Sequence, residues 1–142
     1  MTTEAKLLFT TTSDVHGGRT GQAFIGRDRL NVTLRPPHAR TEGTDPEELF
    51  AAGYASCFLS ALQSVARRDG VTIGTPQGRA HVSLHTDASG GYSLGVKMQV
   101  FLPGTPHDTA TQLLHAAHAV CPYSRAVAGN VDVQLEVLSA PL

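Results

Sequence analysis

The sequence predicts an α+β protein with the element order βββ-α-ββ-α-β. Three observations carry that prediction. Apolar residues recur at every second position before Pro36 and again in two later blocks, as half-buried strands require. Two stretches, Pro46 to Arg68 and Pro106 to Val120, switch to a helical period. The strands come in groups rather than singly between helices, which separates α+β from a parallel α/β arrangement. The chain has 142 residues, the usual size of one domain. It contains no repeat, linker or low-complexity segment, so residues 1–142 are read as a single domain.

The elements follow in order. Lys6 to Thr12 and Gly21 to Arg27 read as short strands. Leu30, Val32 and Leu34 alternate with polar neighbours as a third strand, with "GRDR" as the hairpin turn before it. "RPPHARTEGTDP" ends this run, because two prolines deny a ladder its donors. A central helix then starts with Asp45 as its cap, Pro46 at the first helical position and Glu48 closing a capping box. It reaches about Arg68, where "RDG" stops it. Its middle, "AAGYASCFLSAL", is apolar nearly all the way round, so it has to be buried on most sides. One sheet covers one face, and the rest needs another helix or another subunit. Gly53 costs roughly 1 kcal/mol against alanine inside a helix, a cost that close approach of another backbone would offset.

Two strands come next, "AHVSLH" and "YSLGVKMQVFL", joined by a turn at "DASGG". "LPGTPHD" opens the second helix, with Thr105 as cap, Pro106 at N1 and Asp108 at N3. Leu113, Ala117 and Val120 share a face of it by i, i+4, i+7 spacing, and Cys121 can join them. Pro122 disfavours a helical conformation at Cys121 and can begin a new turn. Cys121 thus caps "PYSRAVAG", which Gly129 closes. "VDVQLEV" is the last strand.

Bulk properties narrow the function. A net charge of −1 gives nucleic-acid binding no electrostatic footprint. No run of about 18 apolar residues exists to span a membrane. The start, "MTTEAKLLFTTTSD", lacks the features of a secretory signal, so the expected location is cytoplasmic. Two cysteines are too few for a disulfide framework. In a reducing compartment they are redox-active, metal-binding or inert.

Taken alone, Cys57 reads equally as a small buried hydrophobe. Cys121 sits at a helix start, where the dipole favours a thiolate. The pair says more: both helices must bury, and each brings one thiol to its packed face. If the helices pack together the sulfurs can meet, and an attacking thiol beside a resolving thiol is a peroxidase arrangement. Three rivals stay open. "HAAHAVC" spaces His115, His118 and Cys121 for zinc, although three steps of about 100° converge poorly. Cys57 activated by a histidine would make a cysteine hydrolase. A non-catalytic module could bind a small apolar ligand in a dimer seam.

"TDPEELFAAGYASCFLSAL" and "AHAVCPYSRAVAGN" resemble the two cysteine motifs of the organic hydroperoxide resistance proteins, of the superfamily of osmotically inducible protein C (OsmC). The resemblance extends to "GGRTG" and covers essentially the whole chain. Two departures stand out: Asp45 replaces the family's usual asparagine, and "SRAVAGN" replaces a sequence closer to "SNATRGN". The resemblance implies an OsmC-like fold, an antiparallel sheet packed on a central buried helix, in an intertwined homodimer with two sites near the interface. It implies a peroxidatic Cys57, a resolving Cys121, and Arg19 and Glu47 beside the reactive thiol. The substrate implied is an organic hydroperoxide, reduced to an alcohol with no bound metal or cofactor. The reductant implied is a lipoylated protein, through its dihydrolipoyl group, rather than thioredoxin.

The chemistry of these residues agrees. A thiol with a pKa of about 8.5 is mostly protonated at neutral pH. Burial raises that value further, so the site needs a cation, and Arg19 supplies one that never deprotonates. Phe50, Tyr54 and Phe58 would form an apolar wall favouring alkyl and fatty-acyl peroxides over hydrogen peroxide, though plain core packing would explain them too. Glu47 precedes Cys57 by ten positions, a rise of about 15 Å on a straight helix. It would therefore act by holding Arg19, or across the subunit boundary.

Overall fold

The strand alternation near the N-terminus builds a three-stranded antiparallel meander: β1 (Ser13–His16), β2 (Gln22–Ile25) and β3 (Leu30–Thr33). The computed structural model describes residues 4–142. It divides into a unit ending at Pro46, which holds this meander, and a second unit, Glu47–Leu142. Ser13 pairs with Ile25, and Ile25 in turn with Leu30. A 3₁₀ turn over Gly18–Thr20 joins β1 to β2. Gly21 must be glycine there, because a Cβ would lie 1.7 Å from the His16 carbonyl oxygen.

The β2–β3 turn falls within "GRDR", as the sequence predicts. Gly26, Arg27 and Asp28 have φ of 64°, 60° and 65°, a left-handed run that ends β2 abruptly. That turn also explains a difference. Lys6 to Thr12, read as a strand from its pattern, forms no ladder, and β1 lies further along. Once β2 stops at Ile25, no β2 residue remains opposite the chain before Ser13. The Gly26 N–H donating to Thr12 O is the bond at that end. After β3, Leu34 bridges Thr44, and the Asp45 carboxylate lies 3.7 Å from the Arg35 guanidinium.

The second unit is built on α1 (Pro46–Arg68). Pro46, Glu47 and Glu48 occupy its first turn, and Arg67 and Arg68 its last, charges that complement the helix dipole. β4 (Gln77–Thr86) and β5 (Tyr92–Phe101) form a long antiparallel hairpin. The chain returns through α2 (His107–Val120) and α3 (Pro122–Val127) to β6 (Val133–Leu138). β6 pairs parallel to β5, from Val96 with Val133 to Phe101 with Leu138. The sheet, ordered β4-β5-β6, is therefore mixed rather than wholly antiparallel. A helical crossover carries the chain from the Phe101 end of β5 back to the end where β5 began, which makes the next strand parallel.

One core fills this unit. Tyr54, Phe58, Leu62 and Val65 of α1 meet Val96, Met98 and Val100 of β5 and Ala110, Leu113, Leu114 and Ala117 of α2. Two details of α2 differ from the sequence reading. Pro106 takes the N-cap position, while the Thr105 hydroxyl donates to Pro103 O instead of capping. Val120 is exposed: the inward face is centred on Ala117 and Leu114, which swings Val120 past its edge and aims Cys121 inward. α1 also reaches a mean hydropathy of 1.4 over 18 residues, enough for a bilayer span by length and composition, contrary to the sequence reading. Its buried stripe of i, i+4 positions shows that this apolarity serves the core. Only 33% of that window is buried within this chain.

Candidate active site: two thiols on packed helices

Cys57 lies midway along α1, between the buried rings of Tyr54 and Phe58. Cys121 lies at the break between α2 and α3, where Pro122 forces an extended conformation, φ −63° and ψ 126°. Its N–H still donates to Ala117 O at 2.8 Å, and its own carbonyl accepts the Arg125 N–H at 3.0 Å. One residue thus ends a helix and starts another. Its thiol makes no cap to α3. It is fully buried, whereas Cys57 is half-buried, and neither is in a disulfide.

The two thiols are hydrogen-bonded to each other, and the Tyr123 backbone N–H donates to the Cys57 sulfur. Burial pushes the Cys57 thiol above its ordinary value of 9.0, because the thiolate loses solvation. The Tyr123 amide works against that shift, and the neighbouring Cys121 adds to it. Within this unit the pair is therefore assembled, but Cys57 is held towards its protonated form.

Gly53 has a partner of a kind its sequence did not specify. A Cβ there would lie 2.8 Å from the Tyr123 hydroxyl oxygen and 3.3 Å from Cζ. The close approach is that of an aromatic side chain, not of another backbone. Tyr123 stacks obliquely on Phe50 and Tyr54, with ring centroids 5.9 and 5.8 Å away, and Phe50 meets Tyr54 edge-on. Of the anticipated aromatic wall, Phe50 and Tyr54 join this cluster beside the thiols, while Phe58 is packed in the core. A polar chain lies behind the rings. The Tyr54 hydroxyl is 2.7 Å from Ser124 Oγ, which is 2.8 Å from His118 Nδ1. Burial raises the Tyr54 pKa above 10.0, so the phenol is neutral.

Arg19 lies in the 3₁₀ turn of the first unit. Glu47 lies in the first turn of α1. That helix is unbroken, so Glu47 stands about 15 Å along the axis from Cys57 and does not touch it within one chain. His115, His118 and Cys121 are not a ligand set: His118 Nδ1 is engaged with Ser124, and no metal-binding group of three is assembled among the described residues. The Cys57 thiol is set by Tyr123 and Cys121, an arrangement that gives no support to a histidine-activated hydrolase. Sequence reasoning missed Tyr123 and Ser124, and read His118 only as a candidate zinc ligand. The available signals were the "PYS" after Cys121 and the unexplained cost of Gly53.

A hydrogen-bonded thiol pair, brought together by two helices packed on a mixed sheet, defines the class: an α+β protein with a two-cysteine site. Residues 38–136 match the family model described as OsmC-like protein. The chain is 48% identical to organic hydroperoxide resistance protein OhrA of Bacillus subtilis, over 92% of this chain and 96% of that one. It is 35% identical to the organic hydroperoxide resistance protein of Xanthomonas axonopodis, over 95% and 98%. The crystal structure of OhrB of Bacillus subtilis superposes with a TM-score of 0.87 at 40% identity, covering 93% of this chain and all of that one. The chain belongs to the OsmC-like family, among its organic hydroperoxide resistance proteins.

Proposed function

We propose that this protein acts in organic hydroperoxide resistance as a thiol peroxidase. The observation that carries this reading is the contact between a half-buried Cys57 thiol and a buried Cys121 thiol. In the first step the Cys57 thiolate attacks the terminal peroxide oxygen. The O–O bond breaks, Cys57 becomes a sulfenic acid, and the leaving alkoxide takes up the proton released when the Cys57 thiol ionised and departs as the alcohol. Cys121 then attacks the Cys57 sulfur, the S–S bond forms, and the sulfenic oxygen departs as water. The names of the relatives support this substrate class, as does the apolar cluster of Phe50, Tyr54 and Tyr123.

Arg19 supplies the cation that the buried thiol requires, and Glu47 holds Arg19 in place. What supports this is the upward push on Cys57 within its own unit, which a working nucleophile has to overcome. The protein is a homodimer: most of the apolar α1 window stays uncovered in one chain, and Leu7, Leu8 and Phe9 are exposed. The reductant is a protein-bound dihydrolipoyl group, in line with the family resemblance, and the location is cytoplasmic.

Peroxide consumption tests the whole reading. With dihydrolipoamide as reductant, cumene hydroperoxide is consumed faster than hydrogen peroxide, and thioredoxin fails to substitute. No consumption of either peroxide overturns the reading.

A further inference from the structure

α3 has six residues, too few to hold a helix by its own hydrogen bonds. Yet it carries the two groups that face Cys57: the Cys121 thiol at its start and the Tyr123 N–H two residues later. Side chains must hold it, and one of them is polar. Ser124 is 2% exposed and sits between the Tyr54 hydroxyl on α1 and His118 Nδ1 on α2. Its hydroxyl therefore ties all three helices together at the thiol pair.

Proton counting gives this tie a direction. A serine hydroxyl has one proton to donate. When Nδ1 of a neutral His118 is the acceptor, Ser124 donates to it and accepts the Tyr54 O–H, and every group is satisfied. Without that acceptor the Ser124–Tyr54 pair holds two protons for one hydrogen bond, so one hydroxyl proton is left without a partner in buried surroundings. A buried polar group without its partner is costly, so the turn at Cys121 would shift to relieve it. His118 is half-buried and is the chain's outermost member.

We propose that His118 is a positioning residue for disulfide closure: through Ser124 and Tyr54 it fixes the turn that holds Cys121 against Cys57. The inference rests on the peroxidase reading for its biological meaning. The step it serves is balanced within the protein. Cys121 gives its thiol proton to the departing oxygen, the S–O bond of the Cys57 sulfenic acid breaks, the S–S bond forms, and water leaves. The only oxidant is the hydroperoxide already spent on Cys57.

The test is a single turnover of the reduced full-length protein with one equivalent of cumene hydroperoxide, quenched by alkylation and read by mass spectrometry. His118→Leu should oxidise Cys57 at the wild-type rate but close the disulfide about tenfold more slowly, the scale of one buried hydrogen bond. At excess peroxide it should accumulate Cys57 sulfinic acid. His118→Asn places an amide oxygen near the Nδ1 position and should recover most of the closure rate. If His118→Leu does not fold, His118→Gln, whose carbonyl reaches past that position, takes its place with the same slow closure expected. Closure at the wild-type rate overturns the proposal. So does an equal loss in the leucine and asparagine variants, or an equal slowing of both steps. If the wild-type protein forms no disulfide with cumene hydroperoxide, the peroxidase reading falls. The ranking of the same variants in closure by diamide then decides the positioning role, and equal rates overturn it.

Discussion

Cys57 and Cys121 touch, but they reach the same place by opposite means. Cys57 sits inside a continuous helix of 23 residues, where the backbone is fully committed to its own hydrogen bonds. It owes its environment to what packs on that helix. Cys121 sits where a helix breaks, and the break turns its thiol inward. The first thiol is half-buried and reachable, while the second is sealed. A reachable thiol meets the substrate. A sealed thiol meets only its neighbour, which suits resolution and protects it from the peroxide. The difference between the two roles therefore lies in access and in the local backbone.

The most severe way to break that asymmetry is to remove each sulfur in turn. Cys57→Ser should abolish peroxide turnover. Cys121→Ser should consume one equivalent and then stall or overoxidise at Cys57. Mass spectrometry of the treated wild-type protein should show a Cys57–Cys121 link within one chain. Links found only between chains would contradict the intramolecular step.

A smaller effect separates the chain's own electrostatics from those of the proposed cation. Within its unit Cys57 is pushed above 9.0. If Arg19 overcomes that push, Arg19→Ala should uncover it. The thiolate fraction at pH 7 then falls tenfold for each unit of rise, and a rise of about one to three units slows the first step by about 10- to 1,000-fold. The sign follows from the thiolate being the nucleophile: activity in the variant should return as pH climbs past 9. Arg19→Lys should rescue poorly, because an ammonium lacks the planar fork. The pH profile of Cys57 alkylation measures this, and an unchanged profile in Arg19→Ala would remove Arg19 from the site.

Gly53→Ala acts on the contact between the two helices. Alanine is preferred to glycine in a helix by roughly 1 kcal/mol. Its methyl group meets the Tyr123 hydroxyl at 2.8 Å, and overpacking of that kind costs about 1–3 kcal/mol. The net change in stability should be small, near zero to about 2 kcal/mol of loss. Disulfide closure should slow severalfold as Tyr123 carries its N–H away from Cys57. Tyr123→Phe removes the nearest atom, so the double variant should recover part of the closure rate. Equal closure in wild type and Gly53→Ala would show that the ring shifts without moving its backbone.

How much of this was legible in the sequence depends on the range of the interaction. Period and capping residues are local, so the grouping of strands, the span of α1 and the break at Pro122 could be read directly. The "GRDR" turn was legible for the same reason. Lys6 to Thr12 misled because a strand needs a partner, and partner supply is fixed by a turn elsewhere. The parallel pairing of β6 was hidden because direction follows from the crossover, not from residues in the strand. Gly53 announced a close neighbour but not its kind, since Tyr123 is brought there by tertiary packing. Ser124 and His118 carry no periodic signature, and their link appears only when three helices meet.

The smallest effect concerns the phenol beside the thiols. Tyr54 feels both sulfurs, Cys121 more than Cys57, although burial is the main reason its pKa is raised. Tyr54→Phe removes the hydrogen bond to Ser124 and should cost about 1 kcal/mol at neutral pH. The same change removes an ionisable group. A folded pKa above the unfolded value of 10.0 means that the native state holds the proton more tightly. That contribution is complete below pH 10 and is lost as pH rises through the folded value. The phenylalanine variant has nothing to lose there. The stability gap between the two proteins should therefore narrow above pH 10, in denaturant melts run from pH 7 to pH 11. Cys121→Ser should lower the Tyr54 pKa more than Cys57→Ser does, because the sealed thiol acts on it more strongly. A larger response to Cys57→Ser would reverse the order of the two sulfurs around the ring.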